Sequence, residues 1–304
     1  MKVLNFGSLN IDYVYEVDSL PSPGETACAE SRVTYCGGKG LNRAVALAKA
    51  KIPVTHAGSV GSDGNALIDA LREAGVNTDY VLRQDGISGH TVIEADEQDQ
   101  RTILSYGGTN MQIPREHIDR ILMNFSEGDM LLVDNEINEV GYIIEQAHAR
   151  GMTVLYSPSP FDQSVFSLPL DFVDCFIVNQ GEGEMLTETR RWENIIPKLA
   201  RKYPGAHILL TLGDKGAKYC NGSVIYHQNI YPVKPVDPTA AGDAFVGYFV
   251  YGLISGLLPQ EAMKIAAKAA SITITRKGAA ESIPAIDEVM ATDKASPADA
   301  QPSA

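Results

Sequence analysis

Short apolar runs alternate with longer amphipathic segments along most of the chain. The runs predict buried strands at residues 2–6, 54–59, 130–133, 153–156, 175–178 and 208–212. The amphipathic segments predict helices at residues 42–51, 63–74, 139–150, 192–202, 242–254 and 259–274. This alternation predicts an α/β fold, with an open, mostly parallel, doubly wound sheet that has helices on both faces and binds ligands at the carboxyl ends of its strands. The turn signal at residues 221–222 adds a hairpin.

Two stretches interrupt this rhythm and predict a small β-sheet lid. Residues 24–36 alternate loosely, and residues 90–94 and 102–106 flank a polar turn as a hairpin would. We place the lid at about residues 12–36 and 88–108. Its apolar face needs a cover, either the active site or a second subunit, so a homodimer through the lid is expected.

The lid and the main sheet together form the predicted domain, residues 1–290. Residues 291–304 are rich in Ala, Ser, Pro and Asp and are expected to be a disordered tail.

Composition and charge exclude several classes of protein. The net charge of −13, with basic residues adjacent only in pairs such as Arg276 and Lys277, argues against a nucleic-acid partner. No apolar run is long enough to span a membrane, and the N-terminus becomes polar too early for a signal peptide, so we expect a soluble cytoplasmic protein. The four cysteines form no CxxC pair, which argues against a disulfide framework and a zinc site.

The strongest chemical signal is the sequence Val-Asp-Pro-Thr-Ala-Ala-Gly-Asp-Ala-Phe at residues 236–245. Small residues let backbone amides approach an anion, and the start of a helix presents unpaired amides with partial positive charge. Asp243 could take a proton from a hydroxyl while the amides of Ala241, Gly242 and Asp243 hold a transferring group. The segment therefore predicts phosphoryl transfer, with a simple helix cap at Asp243 as the alternative.

Two further segments carry polar or small residues near predicted turns. Asn10 and Asp12 come just after the first strand, where an amide and a carboxylate can bind vicinal hydroxyls, although a turn-stabilising role is the alternative. The glycine-rich residues 37–40 are not a P-loop, because the GxxxxGK[ST] spacing is absent. A plain turn at the start of a helix is the other interpretation of these glycines.

Four ordered motifs, at residues 7–12, 20–26, 36–42 and 237–243, resemble those of the ribokinase-like (PfkB) family of carbohydrate kinases. The resemblance covers about residues 2–288, and the sequence Thr-Arg-Lys-Gly-Ala at residues 275–279 is similar to the ribokinase branch. The sequence departs from the family pattern at several positions. Arg43 stands where many members have Gln, and Ala267 stands where a polar residue often meets adenine.

The resemblance implies an ATP-dependent kinase that phosphorylates the terminal hydroxymethyl of a small sugar, with D-ribose as the first candidate. It gives Asp243 the role of the base, with Gly242 and Ala241 in the anion hole. The implied sugar-binding residues are Asn10, Asp12, Gly38, Lys39, Asn42, Glu136 and Asp243. Those implied for the nucleotide are Asn179, Thr211, Gly213, Gly216 and Gly242.

The resemblance also implies two metal ions. Glu182 would bind Mg²⁺ through water, in keeping with the few carboxylates that this ion needs. A K⁺ site would be formed by Asp237, Thr239, Thr273, Arg276, Gly278 and Ser282. Hard oxygen ligands suit K⁺, and a cation beside the anion hole would strengthen its positive end.

Other functions remain as alternatives. A kinase of the same family could act on fructose, another hexose or a nucleoside, and a catalytically silent sugar-binding protein could retain the scaffold. A dinucleotide-binding oxidoreductase is disfavoured because no GxGxxG follows the first strand.

Overall fold

The computed structural model describes residues 1–96, 98, 100–222 and 224–291. The strands are β1 (Val3–Phe6), β2 (Asn10–Glu16), β3 (Ser31–Gly37), β4 (Val54–Val60), β5 (Asn77–Arg83), β6 (Gly89–Ala95), β7 (Arg101–Tyr106), β8 (Met130–Asp134), β9 (Thr153–Ser157), β10 (Cys175–Asn179), β11 (His207–Thr211), β12 (Ala217–Cys220) and β13 (Ile225–Gln228). The helices are α1 (Lys39–Lys49), α2 (Asn65–Glu73), α3 (Arg115–Leu122), α4 (Val140–His148), α5 (Gln180–Leu186), α6 (Ile195–Lys202), α7 (Ala241–Ile254), α8 (Pro259–Thr273) and α9 (Ile286–Ala291).

The main sheet has nine strands in the order β13-β12-β11-β10-β9-β8-β1-β4-β5. Neighbouring strands from β11 to β5 are parallel, whereas β12 and β13 join one edge as an antiparallel hairpin. The predicted α/β class, the mostly parallel sheet and the hairpin at residues 221–222 are therefore confirmed.

Helices cover both faces of this sheet and bury two apolar cores. Leu132 packs in one core with residues of α1, α2, α7 and α8. Its neighbours Leu131 and Val133 pack in the other core with residues of α3, α4 and α6. Successive side chains of a strand point to opposite faces, so a strand buried on both sides reads as a continuous apolar run. β8 is buried on both sides, so its apolar run was enough to predict it from the sequence.

A second, four-stranded sheet has the order β3-β2-β6-β7 and lies where the lid was predicted. The β2–β6 pair is parallel and the other two pairs are antiparallel. The prediction of a turn at Asn10 and Asp12 is wrong: both residues lie in β2, because Asn10 pairs with Gly37 on one side and Gly89 on the other. Residues 24–30 form no strand, so β3 begins later than the alternating pattern suggested.

Four elements were not predicted, namely β5, α3, α5 and α9, and α1 begins three residues earlier than expected. β5 is an edge strand of mixed exposure, and α5 is only seven residues long, so neither has a strong hydrophobic period. The predicted tail after residue 291 lies outside the described residues. Among the described helices, none has the length and apolar character needed to cross a bilayer.

Candidate active site

The functional residues gather at the carboxyl ends of β1 and β8, which are neighbours in the main sheet. After β1 the chain adds strands on one side of it, and later adds β8 and its successors on the other side. Such a reversal leaves a crevice at the carboxyl ends of the strands. Ser8 follows β1, Glu136 follows β8, and the Ser8 hydroxyl donates a hydrogen bond to Oε2 of Glu136 across this crevice.

The glycine-rich segment approaches the crevice closely. Gly38 caps α1 with a φ of 94°, a conformation that favours glycine. A Cβ on Gly37 would lie 1.9 Å from Oδ2 of Asp12, and a Cβ on Gly38 would lie 2.9 Å from the carbonyl oxygen of Ser8. Larger residues at either position would displace these neighbours, so the glycines bring the start of α1 against the polar groups.

Lys39 and Glu136 form an ion pair at the edge of this crevice. The backbone amide of Lys39 donates to Oε2 of Glu136 at 3.2 Å, and Nζ lies 3.7 Å from Oε1. Burial alone would lower the pKa of Lys39, but the charges of Glu136 and Asp243 outweigh it and raise the pKa. The ammonium group therefore remains charged and can hold a sugar hydroxyl together with the carboxylate.

Asp12 is a buried carboxyl group on the lid strand β2, opposite Thr91 of β6. Burial raises the pKa of Asp12 to about 7, although a hydrogen bond with the Thr91 side chain opposes the shift. The neighbouring predicted residue Asn10 is engaged differently: its Oδ1 accepts a hydrogen bond of 2.8 Å from Asn110. Asn10 is therefore anchored inside the protein, whereas the Asp12 carboxyl lies at the cavity under the lid.

Asp243 lies in the first turn of α7, and both of its carboxylate oxygens are held by α1. Asn42 Nδ2 donates to Oδ2 at 3.1 Å, and Arg43 Nε donates to Oδ1 at 3.0 Å. These bonds join residues about 200 positions apart in the chain, with separations of 201 and 200. The structure thus brings the predicted base together with the glycine-rich segment.

The amides at the start of α7 differ in their availability. The Ala241 amide donates to the carbonyl of Pro238 at 3.3 Å, and the Ala244 amide donates to the carbonyl of Ala240 at 2.8 Å. The amides of Gly242 and Asp243 lie between these two, in the first turn of α7. Amides in the first turn of a helix have no carbonyl partner within the helix, so they can bind an anion.

The residues predicted to bind the nucleotide line one cavity of about 830 Å³. It is lined by the predicted residues Asn179, Thr211, Gly213, Gly216, Ala241 and Gly242, and by the apolar residues Ile230, Tyr231, Val233, Phe245, Ala267 and Ile274. A Cβ on Gly216 would lie 2.0 Å from the carbonyl oxygen of Gln228, so glycine is needed there. A mostly apolar lining with a few polar groups is typical of a pocket for a nucleotide-sized ligand.

Glu182 and Asn179 form a capping box at the start of α5. The Asn179 amide donates to Oε2 of Glu182, and the Glu182 amide donates to Oδ1 of Asn179, both at 2.9 Å. Among the described residues, no group of three or more His, Cys, Asp and Glu could hold a metal ion. Mg²⁺ keeps several waters and binds phosphate oxygens, so one carboxylate fits an ion that arrives with a nucleotide.

Three of the residues predicted for K⁺ are directly connected. The Thr239 hydroxyl donates to Oδ1 of Asp237 at 2.6 Å, and the Gly278 amide donates to Oδ2 at 3.2 Å. Burial would raise the pKa of Asp237, but hydrogen bonds from Thr239 and Gly278 and the charge of Arg101 lower it, so this group is a carboxylate.

The other predicted K⁺ residues lie at the end of α8 (Thr273) and along the segment that follows it (Arg276 and Ser282). The Asp237 amide donates to the carbonyl of Ile274, next to Thr273, and the Arg276 amide donates to the carbonyl of Thr273. The Ser282 hydroxyl donates to the carbonyl of Ala279 at 2.6 Å. These contacts join Asp237 to the end of α8 but do not join it to Ser282, and Arg101 already donates to Asp237.

Comparison with known proteins decides the family. The family profile described as "pfkB family carbohydrate kinase" matches residues 1–286. The chain belongs to this family. The family resemblance found in the sequence is therefore confirmed over nearly the whole described chain.

Individual relatives agree with this assignment. A ribokinase of Staphylococcus aureus is 30% identical, over 95% of this chain and 98% of its own. The crystal structure of ribokinase from Thermotoga maritima is 32% identical, with a TM-score of 0.86 over 97% of this chain and 100% of its own. Arabidopsis thaliana ribokinase, solved with ribose and ATP, is 29% identical, with a TM-score of 0.84 over 97% of this chain and 99% of its own.

Several residues of this pfkB-family site were not singled out from the sequence, namely Ser8, Asn110, Arg101 and Asp134. Asp134 is fully buried at the end of β8, and burial raises its pKa to about 7. Its position directly after an apolar run is a signal that could have identified it. Arg101 has no such signal, since it is the first residue of β7, follows a polar stretch of the sequence, and meets Asp237 only through the fold.

Proposed function

We propose that this protein is an ATP-dependent sugar kinase that transfers the γ-phosphoryl group to the terminal hydroxymethyl of D-ribose, giving ribose 5-phosphate. The position of Asp243 is the observation that carries the proposal. Its carboxylate is held by Asn42 and Arg43 of α1, beside the glycine-rich segment, while the adjacent Gly242 lines the nucleotide cavity. One residue thus stands between a candidate sugar site and a candidate ATP site.

The sugar side of the site would use charged and polar groups around the crevice. Asp12, Lys39, Asn42 and Glu136 would bind sugar hydroxyls, Gly38 would let the backbone approach, and Asn10 would fix the start of β2. The nearness of Lys39 to Glu136 and the burial of Asp12 support these roles. Such groups position the hydroxymethyl, and positioning is a large part of the catalysis of phosphoryl transfer.

At the reacting end, Asp243 would accept the proton of the hydroxymethyl, and the amides of Gly242 and Asp243 would stabilise charge on the transferring group. The amide of Ala241, which the sequence placed in the anion hole, donates instead to the carbonyl of Pro238. Asn179, Thr211, Gly213 and Gly216 would bind the nucleotide, since all four line its cavity. Bound Mg²⁺ would neutralise phosphate charge, with Glu182 as a ligand through water, and K⁺ near Asp237 would add positive charge beside the anion hole.

Two finer proposals concern the oligomeric state and the cellular location of the enzyme. The lid leaves Leu104 and Tyr106 of β7 exposed, at 71% and 53%, and an edge strand with exposed apolar side chains is a natural surface for a second copy. We therefore propose a homodimer through the lid. Use of ATP supports a location in the cytoplasm, where ATP is made and consumed.

Replacement of the proposed base tests the function. A coupled ADP assay with ribose, fructose, other hexoses and nucleosides should give the highest kcat/KM with ribose, and ADP release by itself would exclude a silent sugar-binding protein. Asp243→Asn should keep the binding of ribose and ATP but lower kcat by about 10²- to 10⁴-fold. Asp287→Asn is a matched control, because Asp287 pairs with Lys51 on the surface. Wild-type kcat in Asp243→Asn would refute the proposed base.

A further inference from the structure

Arg43 is a buried cation beside the proposed base. Its side chain is only 5% exposed, and it follows Asn42 on α1. Nε donates to Oδ1 of Asp243 at 3.0 Å, and Nη2 donates to the hydroxyl of Ser157, at the end of β9, at 3.1 Å. Nη1 is buried and has no hydrogen-bond partner among the described residues. Arg43 is therefore fixed by two elements of the fold, and none of its nitrogens is open to a ligand.

A buried guanidinium is unfavourable unless a carboxylate balances its charge. Two carboxyl groups are near enough to do so, Asp243 by direct contact and Asp134 through space. Burial raises the pKa of Asp134 despite the charge of Arg43, whereas Asp243 contacts the guanidinium directly at 3.0 Å. The charge of Arg43 is therefore balanced chiefly by Asp243.

The two donors of α1 also fix the orientation of the Asp243 carboxylate. Asn42 holds Oδ2 and Arg43 holds Oδ1, so the plane of the carboxylate cannot rotate without breaking one of these bonds. The Asp243 side chain remains 13% exposed, which leaves room for a hydroxyl to approach. A general base works best when its acceptor lone pair is already aimed at the proton that it removes.

We infer that Arg43 is a positioning residue for phosphoryl transfer: it acts through Asp243, holding that carboxylate in a fixed orientation, and does not touch either substrate. This inference rests on the proposed function, since it assumes that Asp243 is the base. It predicts that loss of Arg43 slows the chemical step and leaves the binding of ribose and ATP nearly unchanged.

The test compares Arg43→Gln, Arg43→Lys and a control, Arg115→Gln, which removes a surface ion pair with Glu139. Arg43→Gln should lower kcat by about 10-fold or more and change the KM of ribose and of ATP by less than about 3-fold. Arg43→Lys should recover part of kcat because it keeps the charge, and Arg115→Gln should match the wild type. A merely structural role for Arg43 would lower Tm and leave kcat per folded molecule unchanged, which would overturn the inference.

A double variant separates action through Asp243 from independent action. In the Asp243→Asn background, Arg43→Gln should cause no further loss of kcat, because residues that act as a unit are not additive. The same factor of loss in both backgrounds would overturn the inference. If neither Arg43 variant folds, Ser157→Ala frees only Nη2 and should lower kcat by about 3-fold with KM unchanged. An unchanged kcat in Ser157→Ala would then overturn it.

Different results would refute the role of Asp243 as the base and the role of Arg43 as a positioning residue. Full turnover in Asp243→Asn would refute the proposed base, and the role of Arg43 with it. Loss of turnover in Asp243→Asn together with wild-type kcat in Arg43→Gln would refute only the role of Arg43.

Discussion

Nη1 of Arg101 lies 3.1 Å from Oδ1 of Asp237, which joins the lid strand β7 to the segment that precedes α7. The same nitrogen donates to the hydroxyl of Thr239 at 3.2 Å. Asp237 and Thr239 both belong to the proposed K⁺ site. The Arg101 guanidinium of the lid therefore contacts the carboxylate that K⁺ would use. The position of the lid and the occupancy of the cation site should therefore depend on each other.

We predict that Arg101→Gln alters the response to K⁺. The guanidinium neutralises Asp237 and repels a second cation, so its removal should lower the K⁺ concentration for half-maximal activation by about 3- to 10-fold. The maximal stimulation by K⁺ should rise, because the variant lacks the positive charge that Arg101 supplies. Initial rates at saturating ribose and ATP over a K⁺ series, with Na⁺ holding the ionic strength constant, measure both quantities.

A surface ion pair away from the cation site provides the control. Lys51 pairs with Asp287 at 2.8 Å, and both side chains are largely exposed. Lys51→Gln also removes one positive charge, and its K⁺ activation should equal that of the wild type. An identical K⁺ response in Arg101→Gln and Lys51→Gln would contradict a direct effect of Arg101 on the cation site.

The burial of Asp12 predicts that ribose binding depends on pH. Burial raises the pKa of this carboxyl to about 7 in the unliganded protein, so it gains a proton as the pH falls through that value. The ionised form accepts hydrogen bonds from sugar hydroxyls more strongly, and ribose affinity should therefore fall by up to about 10-fold for each pH unit below about 7. Calorimetric titration with ribose checks this. In Asp12→Asn, affinity should be weak and nearly independent of pH.

The same shift in pKa predicts a gain in stability when Asp12 is replaced. A folded-state pKa raised above its ordinary value of 3.8 stabilises the fold at low pH, and that stabilisation is lost as the pH rises through about 7. Asp12→Asn should therefore raise Tm of the unliganded protein by roughly 5 °C at about pH 8, and by less at about pH 5. Asp134 titrates in the same range but is present in both proteins, so the difference reports Asp12. An equal change in Tm at both pH values would contradict the shift.

The main sheet could be predicted from the sequence because its central strands are buried on both faces and read as apolar runs. β5 could not, because it is an edge strand whose side chains are largely half-exposed. In the candidate site, Asp12 and Asp243 were predicted from their positions near a strand end and a helix start, and Glu136 from the family resemblance. Their partners were not, because a contact such as that of Arg101 with Asp237, 136 residues apart, depends on how the lid packs on the main sheet.

A larger residue at Ala267 should interfere with the nucleotide. Ala267 lies on α8 and lines the apolar part of the nucleotide cavity. Ala267→Phe would fill space needed by the base, so the KM of ATP should rise by about 10-fold or more, with little change in the KM of ribose. Lys264→Phe, one turn earlier on the exposed side of α8, is the control and should leave both constants unchanged. An unchanged KM of ATP in Ala267→Phe would show that the base binds elsewhere.

The exposed apolar strand of the lid predicts the assembly. Leu104 and Tyr106 lie two residues apart on β7 and thus on one face, where Tyr106 packs against His90 with ring centroids 5.1 Å apart. A charge on this face would be buried in a dimer without a partner, so Leu104→Asp should weaken dimerisation by at least about 10-fold. Sedimentation velocity over a concentration series measures the effect. Met123→Asp, at a position that is 70% exposed beyond the end of α3, introduces the same charge on a different surface and should leave the dimer intact. A monomeric wild type, or a dimer that resists Leu104→Asp, would contradict assembly through the lid.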